Sequence, residues 1–319
     1  MKPESECGTC LMHWVYERVA PHADEGKAGR IWPTMLKTLL REINPGANVG
    51  ALCNKAVAGV LPFSPRAALH YEELKRQSNE NAMALLPEAR NFVMSGQTRR
   101  EALERSCLLA AASNVAPISS PSAAYTFHEI GSIIRGGSSS RFFIGDVYDI
   151  VRAARHVLYV ADNAGEIGFD SLVIDVLKEL GAKVTLVVKE KTFFEDATLD
   201  DARFFGIDAK VDQWVTAEGF FAPCEISPEL REAFGRCDLV VGKGTGTYEA
   251  LHGEMAGKPL VVMLKVKCRP IARQTGALEG EVVIGLDRPG ALMSRAGKIW
   301  PWLATVAEGS HPKPDMTEQ

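Results

Sequence analysis

The residues best suited to chemistry are Asp162-Asn163-Ala164-Gly165-Glu166. They follow an apolar run, Val157-Leu158-Tyr159-Val160-Ala161, and precede a helix-like segment from Ile167 to Leu180. This order, strand then polar turn then helix, is where parallel α/β sheets bind ligands. Asp162 and Asn163 bring a carboxylate and an amide oxygen to one point, and hard divalent cations take such donors. The plainer reading of Asp162 is a helix cap. A second acidic loop, Phe194-Glu195-Asp196-Ala197-Thr198, lies beyond the apolar run Lys183–Val188. A third strand, Leu239-Val240-Val241, leads into Gly242-Lys243-Gly244-Thr245-Gly246-Thr247-Tyr248-Glu249. A parallel sheet puts all three loops on one edge. Asp162, Asn163 and Asp196 would then share one cation, with positions left for water and substrate and with Lys243 as a fixed positive charge beside it. The glycine loop matches neither the Walker A spacing nor the dinucleotide fingerprint. Its alternating glycines still let backbone N–H groups approach an anion. The alternative is a tight turn with a solvated lysine.

The elements that must position these groups fall into two styles. Residues 10–112 read as helices: Leu11, Trp14, Val15 and Val19 recur at helical spacing, as do Met35, Leu36, Leu39, Leu40 and Ile43 before the stop Asn44-Pro45-Gly46. Ala67–Leu86 reads as a charged amphipathic helix, and Leu103–Ala112 is rich in helix formers. Residues 113–140 are rich in Ser, Pro and Gly, which is loop chemistry. From 150 onward strands alternate with helices, with further strands at Leu260–Leu264 and Glu281–Ile284. The expected fold class is α/β, a parallel Rossmann-like sheet with helices on both faces plus an amino-terminal helical subdomain. The expected division is 1–115 helical, 116–150 a Ser/Gly-rich connector, and 151–319 an α/β metal-binding catalytic domain. The tail after Trp302 reads as frayed.

Bulk properties narrow the function. The chain has 319 residues, 46% of them hydrophobic and 24% charged, and a formal charge of -4. That balance argues against a nucleic-acid partner. No apolar run approaches the roughly 20 residues of a membrane span, and the polar start lacks a signal core, so a cytoplasmic protein is expected. Seven scattered cysteines do not form a secreted disulfide framework. Cys7-Gly8-Thr9-Cys10 is the one local pair, either half of a zinc site or two thiols packing at a helix start. The seven histidines form no ligand spacing.

Taken together, these motifs resemble the metal-dependent damage-control phosphatases, also called domain-of-unknown-function family 89. Asp162-Asn163-Ala164-Gly165-Glu166 with Phe169-Asp170 resembles their signature, and Asp196-Ala197-Thr198 with Asp200-Asp201-Ala202 their second motif. Lys243-Gly244-Thr245-Gly246 with Tyr248-Glu249 resembles the Lys-Gly-x-Gly-Asn-x-Glu motif, and Leu264-Lys265-Val266-Lys267-Cys268 the last strand. Cys7-Gly8-Thr9-Cys10 and Ser113-Asn114 have counterparts in the short, mostly prokaryotic branch. The likeness spans nearly the whole chain and is densest between 157 and 268.

The resemblance implies a phosphatase dependent on Mn, Co, Ni or Mg that acts on small phosphorylated metabolites such as sugar phosphates. It implies Asp162, Asn163 and Asp196 as metal ligands and Lys243 at the phosphate. Glu166, Asp170, Asn114 and Lys265 would line the site, with Asp170 or Glu166 as general base. Gly244, Thr245, Gly246 and Glu249 would bind substrate. Glu195 and Thr247 stand where the family usually has Asn, and Asn114-Val115-Ala116-Pro117 departs from the usual continuation. These departures bear on substrate choice and turnover and leave the metal donors intact. The oligomeric state is not legible. Three rival readings stay open: a non-catalytic sugar or nucleotide phosphate binder, a carboxyl methyltransferase, and a zinc protein organised by Cys7 and Cys10.

Overall fold

A computed structural model describes residues 1–137, 142–144 and 147–287. Ser138–Ser140 of the expected connector and the tail after Trp302 lie outside the described residues. The amino-terminal part holds helices α1 (Cys7–Val19), α2 (Ile31–Glu42), α3 (Val49–Val60), α4 (Ala67–Met94) and α5 (Arg99–Ala112). The rest runs α6 (His128–Ile134), β1 (Phe142–Ile144), α7 (Tyr148–Ala153), β2 (His156–Val160), α8 (Glu166–Glu179), β3 (Lys183–Lys189) and α9 (Leu199–Phe204). It continues β4 (Gln213–Ala217), α10 (Pro228–Arg236), β5 (Leu239–Lys243), α11 (Gly244–Leu251), β6 (Leu260–Lys265), α12 (Arg269–Thr275) and β7 (Val282–Asp287). Among the described residues, no helix is long and apolar enough to cross a membrane.

The strands form a seven-stranded sheet ordered β1-β7-β6-β5-β2-β3-β4. β2 to β6 are mutually parallel, β7 runs antiparallel to β6, and β1 pairs parallel with β7. The chain winds from β2 out through β3 to β4, then returns to place β5 on the other side of β2. The gap between the carboxyl ends of β2 and β5 is therefore a topological switch point, the crevice where open α/β sheets bind ligands. Both faces of the central strands are apolar because both are covered. Val157, Tyr159 and Ala161 share one core with α4, α5 and α8, while Leu158 and Val160 face a second core with Leu230 of α10 and Leu251 of α11.

The helices before the sheet do not share one core of their own. α4 and α5 bury against α8 in the sheet's core, whereas α1, α2 and α3 form a separate cluster with Phe193 and Phe194 of the β3–α9 loop. The stretch expected to be a connector, 116–150, contains α6, β1 and the start of α7. In α6 the apolar pair Ile130 and Ile133 sits one turn apart and is buried, which is enough to hold a short helix on the core. β4 was not anticipated: it is an edge strand with Gln213 and Trp214 exposed, so its sequence lacks a continuous apolar run.

Buried polar ties lock the helices onto the carboxyl edge of the sheet. Asn79 on α4 accepts from the Gly165 N–H at 2.6 Å and donates to Asp201 at 2.8 Å, and Lys75 pairs with Asp201 at 2.7 Å. Arg18 on α1 is 1% exposed and ion-pairs with Glu195. It also donates to the carbonyls of Ile118 at 2.9 Å and Pro117 at 3.2 Å. Removing one partner of a buried pair strands the other charge. Arg18→Met is expected to cost about 3–5 kcal/mol in urea unfolding, and Arg18→Met/Glu195→Met to recover most of it. In the same assay Asn79→Ala is expected to cost about 2 kcal/mol, because two buried polar groups lose their partner.

Candidate active site

The turn after β2 and the loop after β3 are laced together by backbone hydrogen bonds. Ala197 N–H donates to the Asp162 carbonyl at 2.7 Å, and Ala164 N–H to the Glu195 carbonyl at 2.9 Å. Asn163 and Asp196 form an isolated antiparallel bridge. Residues 33 positions apart in sequence are thus held side by side by main chain alone. Gly165 makes the sharp turn into α8 with φ at 76°, a conformation that favours glycine. From the other side of the switch point comes Gly244, with φ at 76°. A Cβ built there would lie 1.8 Å from Asp162 Oδ2, so only glycine lets the β5–α11 turn close over that carboxylate.

A layer of buried polar groups supports this edge from beneath. Asp162 Oδ2 accepts from Asn114 Nδ2 at 2.8 Å and from Asn163 Nδ2 at 3.0 Å. Asn163 Nδ2 also donates to Glu166 Oε1 at 2.8 Å, so the amide nitrogen is spent and its Oδ1 is the atom left for a ligand. Asn114 Oδ1 in turn accepts from the Lys265 N–H at 3.2 Å. Glu166 and Asp170 lie one turn apart on the buried face of α8, and Lys243 Nζ sits 3.5 Å from the first and 3.2 Å from the second. All three side chains are 0% exposed. Burial pushes the Asp170 carboxyl up to about 6 against the pull of Lys243.

The electrostatics single out Asp162. Glu195 has Arg18, Asp196 has Lys189 at 3.0 Å, and Glu166 and Asp170 have Lys243. Asp162 is 8% exposed and is met by neutral amides. Burial first, then the charges of Glu166 and Asp196, raises its carboxyl well above the usual range. Asp196 is raised by burial too, and its Oδ2 has no hydrogen bond despite the nearby lysine. Two desolvated carboxylates and an amide whose oxygen is unspent are donors of the kind that a hard divalent cation takes. Among the described residues no group of three or more His, Cys, Asp and Glu side chains is arranged to hold a metal.

A cavity of about 930 Å³, counting its open mouth, lies over this edge. Asp162, Asn163 and Asp196 form part of its wall, and so do Thr245, Gly246 and Glu249 from the glycine loop and α11. These six sit where the sequence placed them. The others do not reach the wall. Gly244, Asn114 and Glu166 pack behind Asp162. Asp170 lies deeper still. Asp170, Glu166 and Lys243 are wholly buried, pair with one another, and do not line the cavity. The reason is geometric: strand alternation turns the Lys243 side chain onto the α8 face, where two carboxylates wait. Lys265 also differs. Its ammonium runs to Glu129 on α6, 3.1 Å away, and it serves the site through its backbone N–H.

Besides Arg18, the cation on the cavity wall is Lys267, two residues further on. Burial lowers its pKa, against the charges of Glu166, Asp162 and Glu195. β6 ends at Lys265, and Lys267 lies two residues beyond it, in the stretch that leads to α12. Arg18 was also missed, although it falls within the apolar stripe of α1, an unusual place for an arginine without a partner. Glu195 and the Pro117 carbonyl, at two of the departures noted in the sequence, both belong to Arg18. Thr247, the third, is buried at 3% exposure and does not touch the cavity. Cys7, Cys10, Cys53 and Cys268 also line the wall as free thiols. Burial pushes the Cys10 thiol up to about 11 and the Cys268 thiol up to about 12.

The damage-control phosphatase ARMT1-like domain is matched over residues 5–283 of this chain. A damage-control phosphatase of Archaeoglobus fulgidus is 29% identical over 294 residues, covering 89% of this chain and 98% of that protein. An uncharacterized protein of Methanocaldococcus jannaschii is 26% identical over 292 residues, covering 89% and 95%. The crystal structure of a DUF89 family protein from Pyrococcus horikoshii shares the fold with a TM-score of 0.72 at 23% identity, over 90% of this chain and 100% of that one. With the switch-point edge already described, these matches show that the chain belongs to the damage-control phosphatase ARMT1-like domain family.

Proposed function

We propose that this protein is a divalent-metal-dependent phosphatase of small phosphorylated metabolites, with Asp162, Asn163 and Asp196 as the metal ligands. The observation that carries the reading is the Asp162 carboxylate on the wall of an open cavity, buried among neutral amides and raised by that burial and by its acidic neighbours. A divalent cation bound there supplies charge neutralisation and polarises a phosphoryl oxygen. The names of the A. fulgidus relative and of the matched domain point the same way.

The chain's own residues do the rest. Thr245 and Gly246 bring the first turn of α11 to the cavity, where free backbone N–H groups favour an anion. Lys267 stands on the same wall, facing the charges of Glu166, Asp162 and Glu195. Both would hold the equatorial phosphoryl oxygens. Glu249 is a cavity carboxyl that burial pushes up to about 7, so it carries a proton part of the time at neutral pH. It is the group placed to give that proton to a departing alkoxide. Lys243, Glu166 and Asp170 act beneath, by keeping Asn163 and Asp162 in register.

The test is phosphate release from a panel of phosphate monoesters with Mn, Co, Ni or Mg supplied singly. Release is expected with at least one cation, and none with chelator. Asp162→Asn and Asp196→Asn should each lower Mn binding and turnover by at least about 100-fold while circular dichroism stays unchanged. Full turnover in either variant would remove that residue from the site. Cation and anion supports separate by a second pair of variants. Lys267→Met should lower kcat/KM by about 100-fold with unfolding unchanged. Lys243→Met should instead lose about 3–5 kcal/mol of stability, because two carboxylates are left buried without a partner.

A further inference from the structure

The cavity's ionic end is settled by the edge of the sheet, but most of its wall comes from elsewhere. Leu11 and Trp14 enter from α1, Val49 from α3 and Pro270 from the start of α12, while Ile118 and Phe220 enter from loops. The four thiols complete this lining, and burial together with the Glu249 charge keeps Cys7, Cys10 and Cys268 protonated. A protonated cysteine packs as a small apolar group. The remaining polar side chains on the wall are largely committed within the protein. Arg18 and Glu195 satisfy each other, and the arginine's other donors go to backbone carbonyls. Asp196 faces Lys189, and Glu6 is held by Ser5 and Arg273. Thr245 and Glu249 are left to meet polar groups of a ligand.

A polyhydroxylated sugar entering this space would give up water around every hydroxyl and find partners for few of them, which weakens binding. An alkyl or aryl group would lose nothing polar and gain contact with Leu11, Trp14, Ile118 and Phe220. Resting on the phosphatase reading above, we propose that the substrates are phosphate monoesters of compact apolar alcohols, alkyl or aryl, rather than sugar phosphates. The phosphate meets the Asp162 edge, Lys267 and the α11 turn. The carbon body lies against the α1–α3 side.

Cyclohexylmethyl phosphate and glucose 6-phosphate make a clean comparison. Each has a six-membered ring and a primary leaving alcohol, and they differ chiefly in ring hydroxyls. With the full chain and its best cation, kcat/KM for cyclohexylmethyl phosphate should exceed that for glucose 6-phosphate by at least about 10-fold. Ile118→Asn should narrow the ratio by lowering the apolar ester's kcat/KM. Cys10→Ser, nearly isosteric and so the safer variant for folding, should narrow it in the same direction. Equal or faster hydrolysis of glucose 6-phosphate overturns the inference and leaves the phosphatase reading standing. If no ester is hydrolysed with any cation, the phosphatase reading falls instead. The cavity is then judged by thermal shift with phosphonates, which cannot be hydrolysed. Stronger stabilisation by cyclohexylmethylphosphonate than by methylphosphonate or the glucose 6-phosphate phosphonate analogue supports an apolar subsite, and its absence rejects one.

Discussion

Everything at the working edge depends on keeping one carboxylate, Asp162, desolvated without pairing it. A lysine or arginine in contact would neutralise it and close the site to a cation. The fold instead surrounds it with two amide nitrogens and the bare backbone of Gly244. Three cationic side chains are engaged one step away: Lys243 with Glu166 and Asp170, Lys189 with Asp196, Arg18 with Glu195. Ion pairs in a low-dielectric interior hold their partners firmly. Lys267, on the same cavity wall, offsets Asp162 only in part, and burial with the neighbouring acids still raises its carboxyl well above the usual range.

Much of this was legible because it is local. A strand, a polar turn and a helix carry their signature within about 20 residues, so the sequence reads correctly for β2, β3, β5 and β6 and for the loops that follow them. The switch point gathers those loops, and Asp162, Asn163, Asp196, Thr245, Gly246 and Glu249 meet as expected. What failed was the direction of side chains whose environment is set by distant segments. Lys243 looks like a free lysine beside glycines, and nothing in its own loop reveals that α8 presents two carboxylates to it. Lys265 ends β6 and Lys267 follows two residues on, and the end of the strand with the position of Glu129 decided which one reaches the cavity.

Weak elements were the other loss. α6 and β4 are short, and each lacks a long apolar run because it packs at a margin of the fold. α4 continues to Met94 through Pro87, whereas the sequence suggested a stop at Leu86. A proline normally removes one hydrogen bond and crowds the preceding turn. Here the helix is long and its buried stripe, with Leu86, Ala89 and Val93, stays against the core across that position. Packing outweighs the local cost.

The glycine at 244 has a consequence for how such a molecule can change over time. It is a position with no slack: even a methyl group would collide with the carboxylate it faces. On α3, Gly50 is similarly confined, since a Cβ there would lie 2.5 Å from Ala250 Cβ, whereas α1 is held by apolar packing and the Arg18 pair and has no glycine so confined. Natural variation is thus channelled. The half of the cleft that handles the reacting group is frozen by sterics, while the half that meets the rest of the ligand can drift, so new ligand preferences can arise without rebuilding the ionic edge.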